Sequence, residues 1–131
     1  PQASQQAIAL CERELALAAG EEADIVTRVR AQLAIGRDGG YPALEEVAAR
    51  LHMSGRTLKR RLQHSGTSFL LVLEEVRRRD AHQLLLQTDL SVQEVADRLG
   101  YLNPANFSRA FARWTGEAPT AYRRVRRGAP P

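Results

Sequence analysis

EVAARLHMSGRTLKRRLQHSG, residues 46–66, and EVADRLGYLNPANFSRAFARWTG, residues 94–116, are two versions of one pattern. Glu46-Val47-Ala48, Arg50 and Leu51 fall on Glu94-Val95-Ala96, Arg98 and Leu99. Beyond the turn the register lengthens by a residue: Ser54 pairs with Asn103, Leu58 with Phe107, Arg60 with Arg109 and Leu62 with Phe111. Gly66 and Gly116 close the two copies. Each copy reads as a helix of about eight residues, a turn of three or four, and a capped second helix, which is the helix-turn-helix pattern. One such hairpin carries little information. Two with the same buried stripe are hard to obtain by chance.

Outward from this repeat, apolar spacing stays helical, and no run alternates with the period of two that a half-buried strand needs. Leu44, Val47, Ala48 and Leu51 make one i, i+3, i+4, i+7 stripe. His52-Met53 reads as a tight turn, and Ser54 as the N-cap of a helix running to about His64. Thr67-Ser68 opens a long helix to about Gln87, with Phe69, Val72, Leu73, Val76 and Leu84 inward. Ser91 and Glu94 predict a capping box, Asn103-Pro104 another helix start, and Gly100 and Gly116 helix ends. A last helix is expected from Pro119 through Tyr122. Upstream, residues 5–19 place Ile8, Cys11, Leu15 and Ala18 on one side. Asp24 can cap a helix whose apolar side is Ile25, Val29 and Leu33, and Gly36-Arg37-Asp38-Gly39-Gly40 reads as a loop. The expected class is all-α. The folded part is expected to begin near Ala23.

The chain has 131 residues, enough for one compact domain or two very small ones. No apolar run approaches the roughly 18–20 residues of a membrane span, and no charged-then-apolar leader is read at the start. The single cysteine, Cys11, predicts neither an internal disulfide nor a zinc-finger site. Extracellular, membrane and disulfide-scaffold classes are therefore not expected. Net charge is +4, from 19 basic and 15 acidic residues, and it is unevenly spread. Residues 1–24 hold Arg13 against Glu12, Glu14, Glu21, Glu22 and Asp24, so the remainder carries 18 basic residues against 10 acidic. A basic body behind an acidic leader predicts a polyanionic partner, most often nucleic acid.

The second helix of each copy must bury one side and present the other. With Leu58 and Leu62 inward, Arg56, Lys59, Arg60 and Gln63 gather outward at i, i+3, i+4, i+7. Such a set suits a major groove, because arginine and lysine donate to guanine acceptors and glutamine pairs with adenine. In the second copy Phe107, Ala110, Phe111 and Trp114 are expected inside, as core and not as a base-stacking platform. That leaves Ala105, Ser108, Arg109 and Ala112 outside, flanked by Asn103, Asn106 and Arg113. Arg109 is the main reading candidate there, with Asn106 and Ser108 behind it. Residues 68–87 make a helix roughly 30 Å long at ~1.5 Å per residue, close to the about 34 Å between successive major-groove faces. The two reading helices are thus expected in consecutive major grooves.

In these residues the chain resembles the DNA-binding domain of the AraC/XylS transcription regulators, over about residues 23–127. The likeness is carried by Glu46-Val47-Ala48, the run Ser54 to Leu62 and Gly66. In the second half it is carried by Val95 to Tyr101, Asn106 to Phe111, Trp114-Thr115-Gly116, Pro119 and Tyr122-Arg123. Leu62 stands where many members have phenylalanine, and Ala105 weakens the second reading helix. The resemblance implies a seven-helix bundle of two helix-turn-helix subdomains joined by a long central helix. It implies a bacterial transcription regulator, more often an activator than a repressor. It further implies base contacts at Arg56, Lys59, Arg60, Ala105, Asn106, Ser108 and Arg109, and phosphate contacts at Ser54, Ser68, Arg113 and Arg123. Thr57 and Asn103 join the expected phosphate contacts. Residues 1–22 are expected to be a helical linker from an N-terminal effector or dimerisation domain, and residues 128–131 a disordered tail. RNA polymerase is an expected partner, and the cytoplasm, in association with the nucleoid, the expected location.

Other classes find less support. An enzyme needs a nucleophile with a base, an acid–base pair or a phosphate-cradling loop, and Gly39-Gly40 precedes no Walker lysine. No cofactor or metal is expected, since His52, His64 and His82 lack ligand spacing. DNA-repair alkyl acceptors share this helical domain but need a cysteine cluster. A helical adaptor for an acidic protein is the remaining alternative. Arg77-Arg78-Arg79 reads as a solvated run, with Arg77 suited to pinning the two halves together. If residues 68–87 form one rigid rod, inserting about five base pairs between the half-sites turns one of them about half a turn away. Affinity in a titration should then fall to that of a single subdomain, and a full-turn insertion should not restore it. Undiminished binding across the five-base-pair insertion would disprove the rigid two-site mechanism.

Overall fold

Three features make the short helix of each repeat end where it does, and they are backbone features. After Leu51 the chain enters the left-handed region at His52 (φ 60°), and after Leu99 at Gly100 (φ 83°). In both copies the next two amide groups fold back: His52 N–H donates to Ala49 O and Met53 N–H to Ala48 O, as Gly100 does to Asp97 O and Tyr101 to Ala96 O. This paired closure satisfies carbonyls that a helix end leaves open. Histidine is among the non-glycine residues that visit this region more readily.

These observations come from a computed structural model that describes residues 24–128. The expectations for residues 1–22, and all of the expected tail except Gly128, lie outside the described residues. Helical residues 24–32 (α1) are followed by α2 (Leu44–Arg50), α3 (Gly55–His64) and α4 (Phe69–Gln87). Then come α5 (Val92–Arg98), α6 (Pro104–Thr115) and α7 (Pro119–Arg126). Among the described residues there are seven helices and no strand. The all-α, seven-helix architecture is the one expected. The described residues divide into two compact units: one takes residues 24–32 with Ala43–Val72, the other Leu33–Pro42 with residues 73–128.

In the first unit α2 packs on α3. Glu45 and Glu46 occupy the first turn of α2 and Arg50 the last, an order that complements the helix dipole. Arg50 also bonds Glu46 one turn back at 2.8 Å. Ile25, Val29, Val47, Ala48, Leu51, Leu58, Leu62 and Val72 are buried. Ser54 caps α3 by accepting from the Thr57 amide at 3.1 Å. Gly66 (φ 81°) stops it, with Gly66 and Thr67 amides returning to Gln63 and Leu62 carbonyls.

In the second unit α5 packs on α6, and α6 on α7. The core gathers Ala81, Leu85, Val95, Ala96, Leu99, Phe107, Phe111 and Tyr122. Phe111 is its centre, meeting Tyr122 edge-on at 4.9 Å and Phe107 at 5.7 Å between ring centroids. The capping box of α5 forms as expected: Ser91 Oγ accepts from Glu94 N, and the Glu94 carboxylate accepts from Ser91 N. Asn103 accepts from Ala105 N at 2.9 Å with Pro104 in the first turn.

The buried side of α4 differs from the expected stripe. Ala81 and Leu85 are fully buried, whereas Leu84 is only partly buried at the edge of the second unit's core. At about 100° per residue, Ala81 and Leu85 lie roughly half a turn round the helix from Val72. Val72, Leu73 and Val76 are buried as expected, and the buried side turns toward Ala81 and Leu85 further along the helix.

The glycines of the 36–40 loop do more than break a helix. Gly40 N–H donates to Arg98 O at 3.0 Å, and a Cβ on Gly100 would stand 2.9 Å from the Gly40 Cα. Gly66 shares the positive φ but has nothing within 4 Å of such a Cβ. Both glycine-to-alanine changes incur left-handed strain of about 1 kcal/mol or more. Gly100→Ala must in addition displace backbone, so thermal denaturation should show it clearly less stable than Gly66→Ala.

Candidate nucleic-acid interface

α3 buries Gly55, Leu58 and Leu62 on one side, and the other side is cationic. Arg56, Lys59, Arg60 and Gln63 are all exposed there, and among the described residues none is tied up by a hydrogen bond or ion pair. The first turn of α3 contains no acid. Nothing in the helix competes for these donors. A cleft of about 370 Å³ borders this face, lined by Lys59, Gln63 and Ser68 with Leu44, Phe69 and Leu70. Leu70 is one of few large apolar side chains left in the open, at 73% exposure.

α6 presents a sparser face. Ala105, Asn106 and Arg109 are exposed and Ser108 is half-buried. Arg109 is not free: its Nη2 donates to Asn106 Oδ1 at 2.5 Å. Just before the helix, Leu102 is fully exposed in the turn.

The expected phosphate contacts take several structural roles. Ser54 Oγ caps α3 and donates to Thr57 Oγ1 at 2.9 Å. Ser68 Oγ accepts from Leu71 N at 3.2 Å, and Asn103 caps α6. Arg113 is exposed, with Nη2 3.5 Å from Glu74. Arg123 is half-buried and works as a clamp: Nε donates to Leu85 O at 2.8 Å and Nη2 approaches Thr88 O at 3.5 Å. It holds α7 against the C-terminal end of α4.

Several side-chain partnerships that sequence reading does not give build this unit. Trp114 Nε1 donates to Glu74 at 2.7 Å, and this bond, with Arg113, holds the Glu74 carboxyl below its ordinary range. Arg77 lies over the Tyr101 ring at 5.0 Å and the Tyr41 ring at 5.8 Å, a cation–π arrangement within the second unit. Tyr41 donates to Asp80 at 2.7 Å, and burial followed by that carboxylate pushes its phenol far up. Burial also raises Tyr101, against the pull of Arg77. Arg127 donates to Thr88 O and Asp89, Arg126 bonds Glu117 and covers the Tyr122 ring, and Tyr122 pairs with His82. Most of these partners are separated by 38–40 residues, so no local spacing announces them. Among the described residues no cluster of three His, Cys, Asp or Glu side chains could hold a metal ion, and no helix is long and apolar enough to cross a membrane.

Two helix-turn-helix units, each with an exposed polar second helix, place the molecule in the class of double helix-turn-helix modules. A family model described as a helix-turn-helix domain matches residues 47–125. The ornithine utilization regulator of Pseudomonas aeruginosa is 45% identical over 86% of this chain and 33% of its own length. A solved DNA-binding transcriptional dual regulator from Escherichia coli K-12 superposes with a TM-score of 0.70 at 30% identity, over 81% of this chain and 94% of that one. The DNA-binding domain of AdpA, solved in complex with a target DNA, gives 0.62 at 34% identity, over 83% and 97%. The chain belongs to the AraC-type helix-turn-helix family. It spans a quarter to a third of the length of the curated relatives it matches most strongly.

The clamp at Arg123 has a measurable consequence. Arg123→Ala leaves the Leu85 carbonyl near the end of α4 without its cationic donor, while Thr88 keeps Arg127, and should cost about 1–3 kcal/mol in chemical denaturation. Arg124→Ala, on an exposed side chain, should stay within about 0.5 kcal/mol of the parent.

Proposed function

We propose that this chain is the DNA-binding part of a bacterial transcription regulator, an activator by preference, and a binding module rather than an enzyme. The observation that carries the reading is the exposed face of α3, where Arg56, Lys59, Arg60 and Gln63 stand together without partners among the described residues. A helix laid in a major groove uses such a face, with arginine or lysine donating to guanine and glutamine pairing with adenine. α6 supplies the second reading helix through Arg109, supported by Ala105, Asn106 and Ser108. Ser54, Thr57, Ser68, Asn103, Arg113 and Arg123 form the backbone-contacting rim, Arg113 as its exposed cation and Arg123 through the Nη1 edge that its clamp on Leu85 and Thr88 leaves over. The regulators and DNA-binding domains named above support this reading by their likeness. A linker over residues 1–22, a companion domain for an effector or dimerisation, RNA polymerase as partner and a nucleoid-associated cytoplasmic location complete the proposal.

The experiment is a titration of the chain against a duplex selected from a genomic fragment pool. Arg56→Ala or Arg60→Ala should each cost about 1–3 kcal/mol at the selected site and relax base preference locally. Arg113→Ala should weaken all duplexes about equally, and affinity should fall steeply with added salt as counterions are released. Unchanged specific binding in both Arg56→Ala and Arg60→Ala would sink the assignment of this face.

A further inference from the structure

Asn106 and Arg109 stand one turn apart on the exposed side of α6, joined by the 2.5 Å bond from the guanidinium to the amide oxygen. By spacing alone each is free to read a base. The bond removes that freedom. Asparagine recognises adenine through a paired contact, its oxygen accepting from the N6 amino group while its amide donates to N7. Here Oδ1 already accepts a charge-assisted bond, which is the stronger kind. What remains on the outer edge is chiefly N–H: the two protons of the Asn106 amide and the other guanidinium protons of Arg109, beside one lone pair of the amide oxygen.

An edge made chiefly of donors complements guanine, whose major-groove edge offers N7 and O6 as acceptors. It meets the amino group of adenine donor against donor. Apart from the half-buried Ser108 hydroxyl, the residues around this pair add no acceptor. α6 contains no acidic residue, Ala105 has no polar group, and the Asn103 oxygen is committed to the Ala105 amide. The bond also limits the rotamers of a long side chain before any DNA arrives, so less is lost on binding.

We propose that Asn106 is a positioning residue, holding Arg109 so that the second helix-turn-helix selects guanine over adenine at the base pair it faces. The proposal rests on the DNA-reading function above and names what one of its helices reads. Its test uses the full chain and a duplex selected by that chain from a randomised pool. The base pair whose identity no longer matters to Arg109→Ala is set to G or A, or to a guanine whose N7 is replaced by carbon. The parent should prefer guanine to adenine and bind the N7-lacking base less tightly than guanine. Asn106→Ala should shrink the guanine-to-adenine affinity ratio roughly tenfold. Asn106→Asp keeps the oxygen and should keep most of the ratio, though its charge weakens every duplex. A folding defect cancels in that ratio. An intact ratio in Asn106→Ala, or the loss there of a parental preference for adenine, overturns the proposal alone. A parent that binds duplex without distinguishing any base, or binds none, overturns it together with the reading function it depends on.

Discussion

Both halves of the repeat depend on one backbone event, the left-handed residue that ends the short helix. His52 and Gly100 take the same positive-φ conformation and the same pair of returning amide bonds. The chain then has only a few residues before the cap of the next helix at Ser54 or Asn103. A one-residue slip there would rotate the second helix by about 100°. Leu58 and Leu62, or Phe107 and Phe111, would swing out, and the polar face would swing in. The presentation of Arg56, Lys59 and Arg60 is therefore set by how the preceding helix stops. An alanine at Gly100 would strain that stop and also press on the Gly40 backbone.

Counting cations overstates what is available to a polyanion. Arg77, Arg123, Arg126 and Arg127 are engaged with rings, carbonyls or carboxylates of the second unit, while Arg56, Lys59 and Arg60 of α3 have no such partner among the described residues. The two halves are built to different recipes. The second gathers aromatic contacts around Phe111, with Trp114 and Tyr122 edge-on to it, and exposes Arg109 and Arg113 on its reading helix, each with a partner. The first has an aliphatic core and an uncommitted basic face. Aromatic edge-to-face pairs add stability beyond area burial, which fits a unit that spends its arginines internally.

Much of this was legible along the chain because it is local. Ser54, Ser91 and Asn103 cap helices where their types and the following residues predict, and Gly66 and Gly116 end helices in the left-handed conformation. The repeat itself, the inward positions Leu58, Leu62, Phe107 and Phe111, and the outward set on α3 all follow from a 3.6-residue period that the sequence carries openly. His52 was harder, since a histidine has no fixed tie to positive φ. The shift of the buried side along α4, from Val72 to Ala81 and Leu85, was also beyond a single-stripe reading.

What the sequence by itself determined is the helical class, the duplicated turn and which helix faces are polar, because each rests on bonds and periodicities within a few residues. Tertiary structure decided which of those polar groups remain free. Whether Arg123 clamps a helix end, Trp114 finds Glu74, or the 36–40 loop lies against Gly100 depends on partners brought together from distant parts of the chain. A hydrogen bond is satisfied in space and not in sequence, so only the folded chain distinguishes an arginine already spent from one still available.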